Sequence, residues 1–534
     1  MKPKKHASNA VSRREVFQAG SFLAAAGLMA PATAAGAAAA AARLPLRGKG
    51  PNVYERVGVK PFINLTSTRT INGGATLLPE VSDAIQEASY YHVNLEELLQ
   101  KVSPRIAELL EVPGAFIGSG AAGCLTSATL ACMCGGDVEA LQQVPNTDGL
   151  KDEVVAFRET SSIYDHAIRM TGAKMVNVAT VDDLKKAFGP QTCMAFAGAA
   201  IQLDGSRIPL EAFAKAAHDH GVPLLIDAAN ELPMKPDPLL SRGADLVVYS
   251  GGKSLKGPQS AGLLLGRKDL TDIAFWSSAP HHTFARPLKV SKEEIIGTLA
   301  AVEYLVTKRN LDEEHNQYKF WYRHISDRIT QVQGVKTEIF DAPRPGYYPE
   351  MKVEWDQDKI GYVAREIGEL LLNGEPRIMS PAYPKELDPK MADTNHFLIR
   401  PMAMWPEDYK VVAERLYEVL KNAPGKKPPR QLAAPAGSLD GHWNVDVAYS
   451  GRTVRHTMYL QNKGNTITGL HRARLANGTV KGEIDGDKVE FDSRGKYEAA
   501  NMRYFFEGTL SGNEMSGELG LGEYGRATWK AWRA

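Results

Sequence analysis

Short apolar runs alternate with stretches of helical period over most of the chain, from Val53 to about Leu420. A continuous apolar run bounded by polar residues is typical of a strand that is buried on both faces of a sheet. Between two such runs, Glu211–Asp219 has the apolar spacing of an amphipathic helix. The runs lie at 154–157, 175–178, 194–197, 224–226 and 246–249. Strands separated by helices predict an α/β domain with a mainly parallel sheet covered by helices on both sides.

A different pattern begins near residue 423. The segment 423–437 is rich in proline, alanine and glycine, which predicts an extended linker without a core. Beyond it, apolar and polar residues alternate at 443–447, 456–460, 466–469, 488–491, 502–506 and 527–532. Turn signals occur at Asn477-Gly478, Asp485-Gly486 and Ser511–Asn513. Roughly eight antiparallel strands closing on themselves would leave no exposed edge, so we predict a small lipocalin-like barrel or sandwich over 438–534.

The role of this C-terminal β-domain stays open at the level of sequence. No nucleophile, metal cluster or phosphate-binding loop stands out in it. It is either a binding or scaffolding module or a structural appendage, and the residue pattern favours neither interpretation.

The first 42 residues have the pattern of an export signal. Basic residues and the pair Arg13-Arg14 precede a short apolar stretch, Gly20–Ala30, and an alanine-rich tail with Ala-x-Ala cleavage sites. The paired arginines predict a twin-arginine signal over 1–42, recognised by the twin-arginine translocase, and therefore a periplasmic protein. The alternative is a disordered alanine-rich tail. We expect no membrane span after cleavage, because no other segment is long and apolar enough.

Length, charge and cysteine content narrow the possible classes. At 534 residues the chain exceeds what one hydrophobic core usually supports, so about two or three domains are expected. Its 63 basic and 62 acidic residues give a formal net charge of +1 without a long run of either sign. This balance argues against a broad surface for nucleic acid. The four cysteines, Cys124, Cys132, Cys134 and Cys193, lie among apolar or small residues, and we expect core positions and no metal site.

Candidate chemistry is expected after the apolar runs, because ligands of such folds bind at the carboxyl ends of the strands. Gly118–Gly123 consists of small residues and precedes a predicted helix. Free backbone N–H groups at a helix start bind phosphate, and small side chains let the anion approach. Ser119, Gly120 and Ala121 are therefore candidate phosphate ligands, although many turns of this composition bind nothing.

Two further runs end in residues suited to a pyridine cofactor. Asp227 follows the run 224–226, where a carboxylate can keep a pyridine nitrogen protonated, or can simply cap the next helix. Ser250-Gly251-Gly252-Lys253 follows the run 246–249. A lysine at this edge can form a Schiff base with a carbonyl group, with Ser250 donating to the phosphate. Lys256 is the alternative lysine.

A fourth segment, Ser161–His166, follows the run 154–157. A ring at this position can stack on the cofactor, and we select His166, with Tyr164 as the alternative. Four features, each after a predicted strand, together predict pyridoxal phosphate as the cofactor: the glycine loop, the stacking ring, the aspartate and the Ser-x-x-Lys segment.

The same segments resemble the fold type I pyridoxal phosphate enzymes of the selenocysteine synthase-like branch. This branch includes seryl-tRNA selenium transferase and proteins like glucosaminate-phosphate ammonia-lyase. The resemblance is carried by Val53–Asn64, Asn72–Gly74, Gly118–Gly123 and Ser250–Gly262. The last segment is similar to the branch's Ser-Gly-x-Lys-x-x-x-Gly-Pro-Gln-x-Gly signature with one inserted residue, and its lysine falls on Lys253.

The resemblance implies a large cofactor-binding domain over 45–309, a small domain over 310–422 and a homodimer or larger assembly. It implies that Arg286 reaches a phosphate or the neighbouring subunit's site. It also implies that Arg400 binds the substrate carboxylate, with Arg377 as the second candidate.

The implied activity is that of a class V aminotransferase-like enzyme acting on a small amino substrate. We expect an α,β-eliminating ammonia-lyase for a small amino acid or amino sugar acid. The alternatives are a seryl-tRNA selenium transferase-like enzyme, an aminotransferase or racemase, and a non-catalytic binding protein. The export signal and the balanced charge favour the lyase over the tRNA enzyme.

Overall fold

The large domain is built on one seven-stranded sheet. The computed structural model describes residues 51–202, 206–344, 346–382, 393–428 and 430–534, so the predicted signal at 1–42 lies outside the described residues. The strands of this sheet are β2 (Gly114–Ser119), β3 (Glu153–Phe157), β4 (Lys174–Val178), β5 (Thr192–Gly198), β6 (Leu224–Asp227), β7 (Leu246–Ser250) and β8 (Ala261–Gly266). They lie side by side in the order β2-β8-β7-β6-β5-β3-β4.

Strands β3 to β7 run parallel, and β8 is antiparallel to both β2 and β7. All five predicted runs lie in strands, which confirms the mainly parallel sheet. The sequence did not predict β2 and β8, because glycines at both strands resemble turns. Close packing requires some of these glycines: a Cβ on Gly262 would lie 2.3 Å from the backbone carbon of Gly120.

Helices cover both faces of this sheet, as predicted for a sheet whose strands are apolar throughout. Their bounds are Pro79–Ser89, Leu95–Leu110, Gly120–Cys134, Val138–Gln143, His166–Arg169, Val181–Ala187, Leu210–Asp219, Lys268–Trp276 and Lys292–Thr307. The predicted helix at 211–219 is confirmed. Cys124, Cys134 and Cys193 are buried and Cys132 is half-buried. Burial raises the pKa of the Cys124 and Cys193 thiols to about 12, as expected for packing residues rather than nucleophiles.

The small domain pairs a three-stranded antiparallel sheet with helices and has its own core. Its strands are β9 (Val335–Phe340), β10 (Glu350–Trp355) and β12 (His396–Ile399), and its helices are Leu311–Ile329, Gln357–Ile360, Ala364–Asn373 and Asp408–Lys421. A segment from far earlier in the chain joins it: β1 (Ile63–Asn64) pairs in parallel with β11 (Ile378–Met379). Ile63 and Leu65 are buried in this core, so the predicted large domain at 45–309 contributes a segment to the small one.

The predicted linker at 423–437 has no regular secondary structure where it is described, but it is anchored at both ends. Lys427 forms an ion pair with Glu366 of the small domain at 2.7 Å. The backbone N–H of Ala433 donates to Asp485 of the β-domain at 2.7 Å. Among the described residues, no helix has the length and hydropathy needed to cross a membrane.

The β-domain is a closed antiparallel barrel of eight strands, which confirms the predicted barrel. The strands are β13 (Gly441–Ala448), β14 (Thr453–Lys463), β15 (Thr466–Arg472), β16 (Asn477–Asp485), β17 (Lys488–Tyr497), β18 (Ala500–Ser511), β19 (Glu514–Gly520) and β20 (Arg526–Arg533). Pairing of β13 with β20 removes both free edges.

Alternating side chains of the barrel fill its interior. Trp443, Phe491, Phe506 and Trp529 are almost fully buried. Inward glycines make room for these rings: a Cβ on Gly508 would lie 2.8 Å from the Trp529 indole.

One predicted turn of the barrel was wrong. Asn477-Gly478 opens β16, and the chain reverses just before it, where the N–H of Ala473 donates to the carbonyl of Ala476. Strands β16 and β19 were not predicted, because Gly478, Gly482 and Gly517 occupy inward positions and interrupt the alternation of apolar and polar residues.

We predict that residues 431–534 fold alone, since the barrel is closed and has its own core. The fragment should show one cooperative thermal transition by near-ultraviolet circular dichroism. Trp443→Ala should cost about 3–5 kcal/mol, because it empties a fully buried site. The partly exposed Trp532 provides the control, and Trp532→Ala should cost less. An aggregated or non-cooperative fragment would show that the barrel depends on the rest of the chain.

Candidate active site

Lys253 lies at the edge of the sheet where β6 and β7 end. All five residues of β7 are buried, and the chain then turns through Gly251 and Gly252. The Nζ atom of Lys253 donates to Oδ1 of Asn230 at 2.7 Å. Burial lowers the pKa of Lys253, and the negative charge of Asp227 partly opposes this effect. The amine is therefore neutral at a lower pH than that of an exposed lysine.

Asp227 is the last residue of β6, which pairs in parallel with β7. Its Oδ1 atom accepts a hydrogen bond from the Ala229 N–H at 3.0 Å. Burial raises the pKa of Asp227, while the Ala229 N–H and the charge of Lys253 counteract the rise and Asp165 adds to it. The two neighbouring strands thus place a carboxylate and an amine at one edge, as the sequence predicted for both residues.

Lys256, the alternative lysine, has another partner. Its Nζ atom forms an ion pair with Glu314 at 2.8 Å, and Arg309 pairs with the same carboxylate at 2.8 Å. These two cations hold the pKa of Glu314 well below its usual range despite its burial. The structure therefore engages Lys256 in the contact between the lysine loop and the helix Leu311–Ile329, and favours Lys253 as the reactive amine.

Backbone packing fixes the lysine loop. A Cβ on Gly252 would lie 2.2 Å from the Cα of Gln259, and a Cβ on Gly251 would lie 2.8 Å from the carbonyl oxygen of Ala261. Neither position tolerates a side chain without a backbone shift. The Pro258-Gln259 pair of the signature is thus the surface against which the two glycines pack.

The predicted phosphate ligands lie at the same edge of the sheet. Ser119 ends β2, and Gly120, with φ of +64°, begins the helix Gly120–Cys134. Among the residues that the structure describes, no side chain caps this long buried helix at Ser119, which leaves its first N–H groups for a ligand. Since β2 and β7 are both antiparallel to β8, they run in the same direction and their carboxyl ends share one edge.

Arg286 and Ser250 complete the predicted phosphate set. Nε of Arg286 is buried without a hydrogen-bond partner among the described residues. Two residues later, Leu288 lies 3.9 Å from the Cβ position of Gly123 in the first turn of the helix. Ser250 ends β7 and is buried. A phosphate group fits the N–H groups left at the helix start, the small residues around them and the unpartnered Nε of Arg286. A pyridine ring that carries an aldehyde fits Asp227 and Lys253.

The predicted stacking segment is held by a buried carboxylate. Asp165 accepts hydrogen bonds from the Ser161 hydroxyl and the Ser162 N–H. The Tyr164 ring centroid lies 5.9 Å from Nζ of Lys253, whereas His166 is exposed at the start of the helix His166–Arg169. The structure thus places the alternative ring, Tyr164, beside the lysine, and the stacking role of His166 stays a prediction.

The predicted substrate arginines are both engaged within the protein. Nε of Arg400 donates to Glu350 at 2.6 Å. Arg377 donates to the backbone carbonyls of Leu372 and Lys60, at 2.9 and 2.7 Å, and so ties the strand pair β1–β11 together. Their roles in substrate binding stay predictions.

Sequence reasoning missed Asn230, Glu231 and Arg344. Asn230 and Glu231 directly follow the Asp227 segment, a signal that polar residues clustered after a buried strand could have provided. Glu231 is almost fully buried and pairs with Arg344 at 2.6 Å. No sequence pattern pointed to Arg344, which comes from a loop of the small domain about 110 residues away.

Comparisons with known proteins agree with this architecture. Residues 154–344 match the family model for class V aminotransferases. Over 401 residues, the chain is 28% identical to the 5'-C-glycyluridine monooxygenase-decarboxylase of a Streptomyces species, covering 72% of this chain and 94% of that protein. It is 25% identical to the D-glucosaminate-6-phosphate ammonia lyase of Salmonella typhimurium, covering 70% of this chain and 99% of that protein.

A solved structure of a D-glucosaminate-6-phosphate ammonia-lyase has the same fold, with a TM-score of 0.61 at 24% identity over 70% of this chain and 99% of that one. The L-seryl-tRNA(Sec) selenium transferase of Rhizobium meliloti is 29% identical over 282 residues, which are 46% of this chain and 56% of that protein. These matches confirm the fold type I architecture and the similarity to the selenocysteine synthase-like branch. The fold and the matched proteins are those of pyridoxal phosphate-dependent enzymes, as predicted.

We predict that Gly252→Ala lowers the cofactor content of the purified protein about tenfold or more, because the new methyl group would displace the backbone that carries Lys253. Gly189→Ala is the matched control, since a Cβ there meets no atom of the described residues within 4 Å. Visible absorbance and far-ultraviolet circular dichroism measure cofactor content and folding separately. A Gly252→Ala protein with full cofactor content would contradict the packing argument.

Proposed function

We propose that this chain is a pyridoxal phosphate-dependent lyase that removes a β-substituent and ammonia from a small amino acid or amino sugar acid. The observation that carries the proposal is the position of the half-buried Lys253 amine, whose pKa is lowered, beside Asp227 at the strand ends. A lyase for an amino sugar acid phosphate, named among the relatives, supports this substrate class.

The cofactor would be held at two ends by residues of this chain. The backbone N–H groups at Ser119, Gly120 and Ala121 would bind its phosphate, together with Ser250 and Arg286. Asp227 would accept a hydrogen bond from its pyridine nitrogen. When bound, pyridoxal phosphate withdraws electrons from the substrate's α-carbon and weakens the bonds to it.

Lys253 supplies the base for the reaction. Because burial lowers its pKa, its Nζ atom can accept the proton from the α-carbon and return a proton to the product. Asn230, at 2.7 Å from Nζ, orients the amine between these steps. The β-substituent leaves with the proton that Lys253 took up, and water then hydrolyses the released enamine to ammonia and the keto acid.

Asp227 would control the protonation of the cofactor's pyridine nitrogen. Its buried carboxylate is costly to charge without a partner, and a protonated ring nitrogen would be that partner. The Ala229 N–H already favours the charged form. Together these contacts favour a carboxylate that keeps the ring cationic.

Two arginines are candidates for binding an anionic substrate. Arg344 is tied to Glu231, four residues after Asp227, and Arg400 is tied to Glu350. We propose that Arg400 binds the substrate carboxylate, as expected from the sequence, and that Arg344 adds positive charge nearer to the strand ends.

A decarboxylase is the second candidate. The Streptomyces relative is named as a monooxygenase-decarboxylase and matches over 94% of its length. Loss of the carboxylate would also occur at the α-carbon, and the same lysine would return the proton.

A screen of small D- and L-amino acids and amino sugar acids separates these functions. For the lyase we expect ammonia and keto-acid release without a keto-acid acceptor. Turnover only with an acceptor would mean transamination, and carbon dioxide release would mean decarboxylation. Activity only on seryl-tRNA would contradict the proposed substrate class.

Asp227→Asn should retain cofactor but lose about a hundredfold or more in kcat, because a neutral amide cannot keep the ring nitrogen protonated. Asp219→Asn, on an exposed helix end where Asp219 pairs with Lys215, is the control and should be fully active. Cofactor content from the visible spectrum separates lost binding from lost chemistry. An Asp227→Asn enzyme with unchanged kcat would contradict the assigned role.

We also propose export through the twin-arginine route, in the folded and cofactor-loaded state. Arg13→Lys with Arg14→Lys should retain the protein in the cytoplasm, as measured by cell fractionation. Arg43→Lys with Arg47→Lys, beyond the expected signal, makes the same change as a control and should be exported. Periplasmic recovery of both variants would argue against this route.

A further inference from the structure

A cavity opens at one end of the barrel, and the proposed lyase chemistry makes no use of it. Its volume is about 340 Å³, within the range of sites that hold small molecules. Its apolar lining includes Tyr449, Tyr504 and Met502. Eight-stranded barrels are wide enough to hold one small ligand near the mouth, while packed side chains fill the rest of the interior.

A buried row of hydrogen-bonded side chains, formed by Ser493, His471 and His456, ends at this cavity. His456 lines the cavity and is only 3% exposed. Its Nδ1 lies 2.9 Å from Nε2 of His471, whose Nδ1 lies 2.9 Å from the Ser493 hydroxyl. Both nitrogens of His471 and one of His456 are thus engaged. Within the described part of the chain, no hydrogen bond occupies Nε2 of His456, so this nitrogen is left for a ligand.

Both imidazoles are uncharged at neutral pH. Burial lowers the pKa of His456, and it lowers the pKa of His471 to about 3 with a further contribution from His456. A neutral ring carries one N–H, and the hydrogen bonds along Ser493, His471 and His456 can run in either direction. His456 can therefore offer the cavity either a donor or an acceptor.

Aromatic rings form the walls around this row of side chains. The Tyr504 ring is perpendicular to both imidazoles, with centroids 5.5 Å from His456 and 4.9 Å from His471. Burial raises the pKa of Tyr504 to about 12, so its hydroxyl stays protonated. The inner part of the cavity is thus apolar and uncharged and suits an aromatic or aliphatic body.

The mouth of the cavity is polar and positively charged. Arg452 and Arg474 both line the cavity and are exposed, and neither forms an ion pair within the part of the chain that the structure describes. Two cations without carboxylate partners at the opening of an apolar cavity favour an anionic group.

We propose that the barrel binds a small amphiphilic anion. Its aromatic or short aliphatic body enters the cavity against Tyr449 and Tyr504, and its carboxylate, sulfonate or phosphate group pairs with Arg452 and Arg474 at the mouth. His456 bonds a polar atom of the body where one is present. This site is independent of the cofactor and of the reaction proposed above.

The test uses the full-length protein and the fluorescent probe anilinonaphthalene sulfonate. We expect saturable binding at one site per chain, displaced by octanoate and more weakly by octanol. Arg452→Ala with Arg474→Ala should weaken the probe about tenfold or more, because both charge-assisted contacts are lost. Ala473→Trp, at the half-buried lining of the mouth, should block the cavity and also abolish binding.

Lys481→Ala with Lys530→Ala is the matched control, because it removes the same charge from exposed strand positions outside the cavity. This control should bind the probe as the wild-type protein does. Three results would overturn the proposal: no saturable binding, unchanged affinity in the double arginine variant, or equal displacement by octanol and octanoate. Cofactor content should stay the same in all variants.

Discussion

The site depends on the close approach of two backbone segments. Gly251 and Gly252 carry the chain from β7 to Lys253, and there they touch the backbone of Pro258–Ala261. This contact leaves no room for a Cβ, and it fixes the direction in which Lys253 leaves the sheet. Since β6 ends beside β7, the same geometry places Asp227 next to the amine. The helix start at Gly120 packs against β8 by a similar glycine contact. Close backbone packing therefore also fixes the predicted phosphate-binding site.

The sequence predicted this part of the structure well, for a physical reason. Strands buried on both faces must be apolar throughout, so the five runs were visible without any alignment. Because parallel strands end at the same edge of a sheet, the residues that follow them lie close together. The sequence therefore predicted that Lys253 and Asp227 are neighbours. The exceptions were β2 and β8, where close packing requires glycine and the strand signal is therefore weak. In the barrel, Asn477-Gly478 resembled a turn, but its register against β15 and β17 placed it in β16.

Tertiary contacts that join distant segments could not be predicted from the sequence. Arg344 reaches Glu231 only because the loop before β10 packs on the segment after β6, where the N–H of Leu232 donates to the carbonyl of Gly346. Lys256 is distinguished from Lys253 by Glu314, which comes from the small domain. Tyr164 and His166 are two residues apart, and only the course of the chain around Asp165 decides which ring faces the amine.

The central claim is that Lys253 carries the cofactor, and one measurement tests it most directly. The purified protein is reduced with borohydride, digested, and mapped by tandem mass spectrometry for the reduced cofactor adduct. We expect one modified site, with fragment ions that place the adduct on Lys253, and loss of the visible absorbance in parallel with its formation. An adduct on Lys256 or on any other lysine, or no adduct in a protein that shows the visible band, would contradict the account.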